Sequence, residues 1–288
     1  METSELIKKI HRLEIRTKGL TKHIFSGEYH SAFKGRGMAF SEVRDYHFGD
    51  EIRTIDWNVT ARYNEPYVKV FNEERELTIM LVIDVSGSID FGTTERTKRD
   101  LALETAAILA FSAIENNDRV GAIFISDKIE KYIPPEKGKK HTLLILRELM
   151  GFVPKSKGTD INEGLKFLRN TQKKRTISFI ISDFNDEHNV IDGMRLTAKR
   201  HDTIAIRLKD KAEEILPDLG VVSLFNAEQG SKSWINSSDP VVRERFSTQH
   251  AERESQLTQS FNRAGIDHVT LKTDDDIIRP LITLFQHR

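Results

Sequence analysis

Residues 77–88 read LTIMLVIDVSGS, and this stretch decides the fold. Its first part, Leu77 to Ile83, is apolar or β-branched without alternation, which is typical of a strand buried on both faces. Strands of this kind occur in parallel sheets whose two faces are covered by helices. The strand ends in an aspartate, Asp84, and two serines follow it at alternate positions. The stretch therefore predicts both an α/β sheet and a group of polar side chains at one of its edges.

Short apolar runs alternate with helical patterns from about residue 76 onward. The pattern predicts strands at 77–83, 119–126, 131–133, 176–181, 203–208 and 268–271, and helices at 95–117, 141–150, 161–170, 190–200, 241–264 and 277–286. This alternation favours an α/β fold with a doubly wound, mostly parallel sheet of the Rossmann-like kind. In such sheets ligands bind outside the carboxyl ends of the strands, where the strand order reverses.

Two segments do not fit the alternation. Residues 28–75 contain short strand patterns at 29–34, 38–46 and 67–73, and residues 220–236 have the pattern of a hairpin. A hairpin alone is marginally stable in water, and exposed aromatic patches are rare on soluble monomers. We therefore expect the two segments to build one small antiparallel β subdomain, with Trp57 or Trp234 in its core.

The expected organisation is thus an N-terminal helix plus β region at 1–75 and an α/β domain at 76–288. A β insertion at about 210–238 is expected to join the N-terminal β region.

Composition excludes several classes of protein. The chain has 288 residues and no cysteine, which excludes disulfides, thiolate metal sites and cysteine nucleophiles. Its 44 basic residues balance 44 acidic ones, so no global charge attracts nucleic acid or anionic lipid. No apolar run approaches the roughly 18 residues that span a bilayer, and the charged N-terminus lacks the apolar centre of a signal peptide. A cytoplasmic protein without nucleic-acid binding or membrane insertion is expected.

The chemistry is concentrated after the first strand. Asp84, Ser86 and Ser88 place three oxygen-bearing side chains on one loop, and oxygen ligands suit a hard cation such as Mg²⁺. Two further residues should return to the same sheet edge: Thr159 precedes a helix, and Asp183 directly follows a strand. The alternative is that Asp84 and the serines only form a turn and cap the following helix.

These residues carry a first resemblance to a known family. In chain order they are Asp84, Ser86, Ser88, Thr159 and Asp183. The constellation resembles the metal-ion-dependent adhesion site of von Willebrand factor A-like domains, over about residues 77–287. The resemblance implies Mg²⁺ (or Mn²⁺) held by the hydroxyls directly and by the aspartates directly or through water. It also implies that an acidic side chain of a partner protein completes the coordination.

A second resemblance concerns the N-terminal region. The quoted segments are Gly35-Arg36-Gly37, Val43-Arg44-Asp45-Tyr46, Gly49-Asp50, Arg53-Thr54-Ile55-Asp56-Trp57-Asn58-Val59-Thr60-Ala61-Arg62 and Glu74-Arg75-Glu76. They resemble the signature of domain-of-unknown-function family fifty-eight, whose members pair this region with an A-like domain. The resemblance implies a MoxR-type AAA+ ATPase as a partner. The charged residues at 44–57 are expected to form an internal salt-bridge network, and the alternative is a docking surface for the ATPase.

The main alternative function is a metal-dependent phosphohydrolase. Phosphatases with an aspartate nucleophile at a strand end need a second aspartate two residues later, and position 86 is serine. Ser86 also lacks the G-x-S-x-G context of an activated nucleophile, and no histidine pair has the spacing of a zinc hydrolase. We therefore expect a protein-binding module and not an enzyme.

Overall fold

The computed structural model of the chain describes residues 39–63, 65–72, 76–186, 190–225, 232–286 and 288. The described residues up to Glu76 belong to one compact unit, and those from Leu77 onward belong to a second. The strand predicted at 29–34 and the Gly35-Arg36-Gly37 segment lie outside the described residues.

Strands and helices alternate in the second unit as the sequence indicates. The strands are β1 (Ala39–Asp45), β2 (Tyr67–Asn72), β3 (Thr78–Asp84), β4 (Arg119–Ile125), β5 (Ile129–Glu136), β6 (Ile177–Ser182), β7 (Asp202–Lys209), β8 (Val221–Phe225), β9 (Lys232–Asn236) and β10 (Asp267–Lys272). The α-helices are α1 (Trp57–Tyr63), α2 (Lys98–Glu115), α3 (Lys139–Met150), α4 (Ile161–Thr171), α5 (Val190–Ala198), α6 (Pro240–Ala264) and α7 (Ile278–Gln286). Short 3₁₀ turns lie at Ile52–Thr54, Gly87–Asp90 and Lys211–Glu213.

The central sheet has six strands in the order β10-β7-β6-β3-β4-β5. All neighbouring strands are parallel except β5, which pairs antiparallel with β4 at one edge. The chain winds outward from β3 in one direction and from β6 in the other, so the strand order reverses between β3 and β6. The predicted doubly wound, mostly parallel α/β sheet is confirmed, and its switch point lies where the first strand ends.

Burial explains why β3 and α2 occupy the centre. Every residue of β3 after Thr78 is buried, as expected of a strand covered on both faces. Helix α2 is apolar on almost all sides and is buried along most of its length. A capping box fixes its start, because Thr97 accepts a hydrogen bond from Asp100 N and the Asp100 carboxylate accepts one from Thr97 N.

Strand β5 is longer than the sequence pattern indicates. The pattern ends the strand before Pro134-Pro135, whereas β5 continues through both prolines to Glu136. Proline lacks the N–H that a central strand must donate, but β5 lies at the edge of the sheet, where that loss is tolerated.

The shared antiparallel subdomain predicted from residues 28–75 and 220–236 is not found among the described strands. β1 pairs with β2 in one two-stranded sheet, and β8 pairs with β9 in another. Trp57 and Trp234 are 66% and 72% exposed, so the expectation that either forms a core is wrong. The prediction assumed that each pair needs further strands, whereas β8 and β9 pair along their full length as a hairpin.

Ion pairs connect the charged residues of the first unit to one another. The Arg44 guanidinium donates to both carboxylate oxygens of Asp50, at 2.8 and 2.7 Å. Asp56 accepts hydrogen bonds from Asn58 N and Val59 N and thereby caps α1, and its carboxylate lies 3.4 Å from Lys69 Nζ. These contacts agree with the internal salt-bridge network expected from the sequence.

The long helix α6 is polar along its whole length, with Phe261 as its one buried residue. Among the helices that the structure describes, none combines the length and the apolarity that crossing a membrane requires.

Gly164 sets how closely α4 approaches the sheet. A Cβ at this position would lie 2.8 Å from Ile125 Cγ2 and 3.3 Å from Val82 Cγ1. We expect Gly164→Ala to lower the free energy of unfolding by about 1–3 kcal/mol, because the added methyl overpacks a dense core. Urea denaturation measures this. The control is Gly151→Ala, whose Cβ would meet only Arg147 O at 3.7 Å; an equal loss in both variants would contradict the account.

Candidate metal centre

Two buried carboxylates lie at the carboxyl ends of adjacent central strands. Asp84 is the last residue of β3, and Asp183 directly follows β6. The two strands are parallel neighbours, with Ile83 opposite Ile181, so their ends meet at the same edge. The side chains of Asp84 and Asp183 are 1% and 2% exposed. This edge is the switch point of the sheet, where ligands bind in doubly wound folds.

The loop after β3 gathers the two serines beside Asp84. Asp84 Oδ1 accepts a hydrogen bond from Ser86 N at 2.8 Å, which closes a tight turn. The hydroxyl oxygens of Ser86 and Ser88 lie 3.1 Å apart. Within the described residues 86–90, Ser86 stands at the N-cap position of the 3₁₀ turn, but its side chain does not cap it. Helix α2 is capped by Thr97 instead, so capping does not account for the serines.

Thr159 lies on a loop that is hydrogen-bonded to the same edge. Gly87 N donates to Lys157 O at 3.0 Å, and Asp160 N donates to Ser126 O at 2.9 Å, just beyond the end of β4. These two contacts flank Thr159, whose side chain is 7% exposed. The structure thus brings all five candidate residues to one sheet edge, as the sequence predicts. Their role as metal ligands stays a prediction.

The two carboxylates have opposite electrostatic environments. Burial and the neighbouring Asp183 charge raise the pKa of Asp84 to about 6, although hydrogen bonds from Ser182 and Ser86 act in the other direction. Burial also opposes ionisation of Asp183, but the Lys98 ammonium holds the pKa of this carboxyl below its usual value. Asp183 is therefore the carboxylate that stays charged most readily, and Asp84 is the strained one.

Lys98 was not identified from the sequence, although it contacts the site directly. Its side chain is 0% exposed, and its Nζ lies 2.7 Å from Asp183 Oδ2 and 2.7 Å from Glu213 Oε1. Burial lowers the pKa of Lys98, but the two carboxylates raise it above its ordinary value. A signal was present in the sequence: a lysine in the first turn of a helix that is otherwise apolar on all sides needs a buried anion.

The backbone directly after Asp183 adopts an uncommon conformation. Phe184 has φ 55°, in the left-handed region that bulky residues rarely occupy. Its N–H donates to Ser182 Oγ at 3.0 Å, and its ring packs edge-on against Phe261. Strained residues persist where the surrounding structure fixes them, often at functional sites. Here the turn also lets Asn185 N donate to Asp183 Oδ1, which orients this carboxylate.

The donor set fits a hard divalent cation. It consists of two carboxylates and three hydroxyls, and Mg²⁺ is bound by one or two carboxylates with other oxygen ligands and water. Two adjacent ligands of an octahedral ion at about 2.1 Å lie about 3.0 Å apart, close to the 3.1 Å between the Ser86 and Ser88 hydroxyls. No group of three or more His, Cys, Asp or Glu side chains that could hold a metal occurs in the described part of the chain. A site here therefore depends on its hydroxyls.

A cavity of about 230 Å³ opens beside the centre. It is lined by Asp183, Asn185, Arg207, Leu208, Lys209, Glu213, Phe246, Gln249, His250 and Arg253. Arg207 donates from its Nε to Asp183 O at 3.3 Å, which connects the cavity wall to the candidate centre. A larger cleft of about 700 Å³ lies along β10 and α7 and contains none of the candidate ligands. We place the functional site at the smaller cavity because chemistry, and not size, identifies it.

Asp84→Asn is expected to change how stability depends on pH. The pKa of Asp84 rises from 3.8 to about 6 on folding, so its contribution to stability is present below pH 3.8 and is lost as the pH rises through 6. In chelator at pH 8 the variant should therefore be more stable than the wild type, by up to about 3 kcal/mol. At pH 4 this gain should be nearly absent. Urea denaturation at both pH values measures the difference; a variant less stable than the wild type at pH 8 would contradict the assignment.

Solved structures with a similar arrangement include the conserved hypothetical protein BatB from Bacteroides thetaiotaomicron. It is 13% identical, with a TM-score of 0.49, and the match covers 73% of this chain and 98% of BatB. The VWA domain of SpRpn10 is also 13% identical, with a TM-score of 0.39, covering 74% of this chain and 96% of that domain. Both TM-scores lie below 0.5, so the fold assignment rests on the strand order and register described above.

Sequence comparison identifies the family. An uncharacterized protein of Mycobacterium tuberculosis is 31% identical over 290 residues, which cover 100% of this chain and 91% of the relative. An uncharacterized protein of Mycobacterium bovis matches with the same identity and coverage. The model of the family described as "Protein of unknown function DUF58" matches residues 42–256. The chain belongs to the DUF58 family.

Proposed function

We infer that this chain is a metal-ion-dependent protein-binding module. A Mg²⁺ or Mn²⁺ ion is held by Asp84, Ser86, Ser88, Thr159 and Asp183, and a carboxylate of a partner protein completes its coordination. The observation that carries the proposal is the convergence of carboxylate and hydroxyl oxygens at the switch point, with the hydroxyls of Ser86 and Ser88 3.1 Å apart.

The cavity beside the centre supports a protein ligand. Its wall combines an apolar side chain, Phe246, with the cations of Arg207, Lys209 and Arg253. Such a mixture suits a peptide segment whose acidic residue enters the metal site. The bound metal would supply a positive charge for this carboxylate, while the cations of the wall would attract the neighbouring polar groups of the partner.

The partner that we propose is a client protein presented together with a MoxR-type AAA+ ATPase. The proposal of an ATPase derives from the family resemblance alone. The charged surface around Arg44 and Asp50 is its candidate docking region, although these two residues pair with each other. In this role the chain would be a cytoplasmic adaptor and not an enzyme.

The test is metal-dependent capture. Immobilised wild-type protein and the variant Ser86→Ala/Ser88→Ala are incubated with native lysate and with a purified MoxR-type ATPase in Mg²⁺, in chelator, and after Mg²⁺ is restored. We expect partners that bind the wild type only with Mg²⁺ and do not bind the variant. The control is Ser223→Ala/Ser255→Ala, which alters two exposed serines. Capture that is indifferent to chelator and to Ser86→Ala/Ser88→Ala would contradict the proposal.

The alternative, a metal-dependent phosphohydrolase, makes a separate prediction. It requires turnover of p-nitrophenyl phosphate with Mg²⁺ or Mn²⁺ that is lost on Asp84→Asn. We expect no turnover above the blank, because Ser86 stands where such enzymes need a second aspartate. Metal-dependent turnover that Asp84→Asn abolishes would favour the hydrolase.

A further inference from the structure

Lys98 contributes a buried positive charge to the edge of the candidate centre. Its ammonium is completely shielded from solvent and donates at 2.7 Å to one oxygen of Asp183 and at 2.7 Å to one oxygen of Glu213. The ring of Phe91 covers it, with the centroid 5.8 Å from Nζ. A candidate metal ligand is therefore already paired with a cation that belongs to the chain.

Glu213 is held in place independently of Lys98. Its second carboxylate oxygen accepts a hydrogen bond from Asp210 N at 3.0 Å. Asp210 in turn is fixed by the hydroxyls of Thr93 and Thr273, at 2.5 and 2.7 Å. Glu213 thus remains where it is when other contacts of Lys98 change, and it can hold the ammonium by itself.

We propose that Lys98 is an internal cation that competes with the divalent ion for Asp183. When the ion binds, the ammonium gives up Asp183 and remains on Glu213, so Lys98 and Glu213 together set the affinity of the centre for metal. The inference rests on the proposed function, because it concerns the same ion. Its physical basis is the repulsion between two cations that share one buried carboxylate, where screening by water is weak.

The two residues should have opposite effects on metal affinity. Lys98→Met removes the competing charge, keeps an unbranched side chain of similar length and should tighten Mn²⁺ binding by about tenfold or more. Glu213→Gln removes the alternative partner of Lys98, confines the ammonium to Asp183 and should weaken Mn²⁺ binding. A purely structural role would make both variants bind more weakly, because both would loosen the site.

Isothermal titration with Mn²⁺ tests this on the full chain, and Lys173→Met, at an exposed lysine, is the control. Because Lys98→Met leaves two carboxylates without their cation, Lys98→Met/Glu213→Gln serves as a companion variant, with tightening again expected. Tightening in Lys98→Met or the companion, together with weakening in Glu213→Gln, supports the inference. Unchanged or weaker binding in Lys98→Met and the companion overturns it while leaving the metal site intact. Failure of wild type and all variants to bind Mn²⁺ overturns both this inference and the proposed function.

Discussion

Asp183→Ala should lower the free energy of unfolding by about 3 kcal/mol. The variant removes one of two carboxylates from Lys98, whose ammonium is completely buried. Breaking a buried ion pair at one partner costs about 3–5 kcal/mol because the remaining charge is left uncompensated. The lower end of this range applies because Glu213 still accepts from Lys98 at 2.7 Å. Urea denaturation in chelator measures the loss.

Two further variants test whether Lys98 is the cause. Lys98→Met/Asp183→Ala should recover part of the lost stability, because no buried charge then lacks its partner. Asp192→Ala, at an aspartate that is 66% exposed and pairs with Arg195, should cost less than about 1 kcal/mol. Equal losses in Asp183→Ala and Asp192→Ala would show that the Lys98 pair contributes little to stability.

Ser86→Ala/Ser88→Ala is expected to weaken Mn²⁺ binding by at least about 100-fold. The variant deletes two of the three hydroxyls of the donor set and leaves both carboxylates in place. Even residues that only support metal ligands change affinity by about 10–100-fold, so loss of two ligands should exceed that range. Isothermal titration with Mn²⁺ measures the effect.

The effect should be confined to the metal site. Ser86 and Ser88 bond mainly to each other and to the two aspartates, so the stability of the variant in chelator should change by about 1 kcal/mol or less. The exposed pair Ser223→Ala/Ser255→Ala should bind Mn²⁺ like the wild type. Wild-type affinity in Ser86→Ala/Ser88→Ala would mean that these hydroxyls are not ligands.

The sheet could be predicted because its strands carry their own signal. The unbroken apolar run from Leu77 to Ile83 already indicates burial on two faces, and the alternation with helices indicates parallel pairing. The edge of the sheet was harder to predict. Whether Pro134 and Pro135 belong to a strand depends on their position at the edge, which only the complete strand order reveals.

The placement of the candidate site followed from topology. Once β3 and β6 are parallel, the residues after them must meet at one edge, and this brings Asp84 and Asp183 together. Lys98 and Glu213 were missed because they are 115 residues apart and nothing local marks them as a pair. Helix α1 was also missed, although Asp56 followed by Trp57-Asn58 is a recognisable cap before a short helix.

The account's central claim is that a divalent ion binds at the switch point of the sheet. The most direct measurement is anomalous scattering from a crystal of the wild-type protein grown or soaked in Mn²⁺. The account predicts one strong peak at the ends of β3 and β6, about 2.1–2.2 Å from the hydroxyls of Ser86 and Ser88. A structure in saturating Mn²⁺ with no peak there, and with Lys98 still bonded to Asp183, would contradict it.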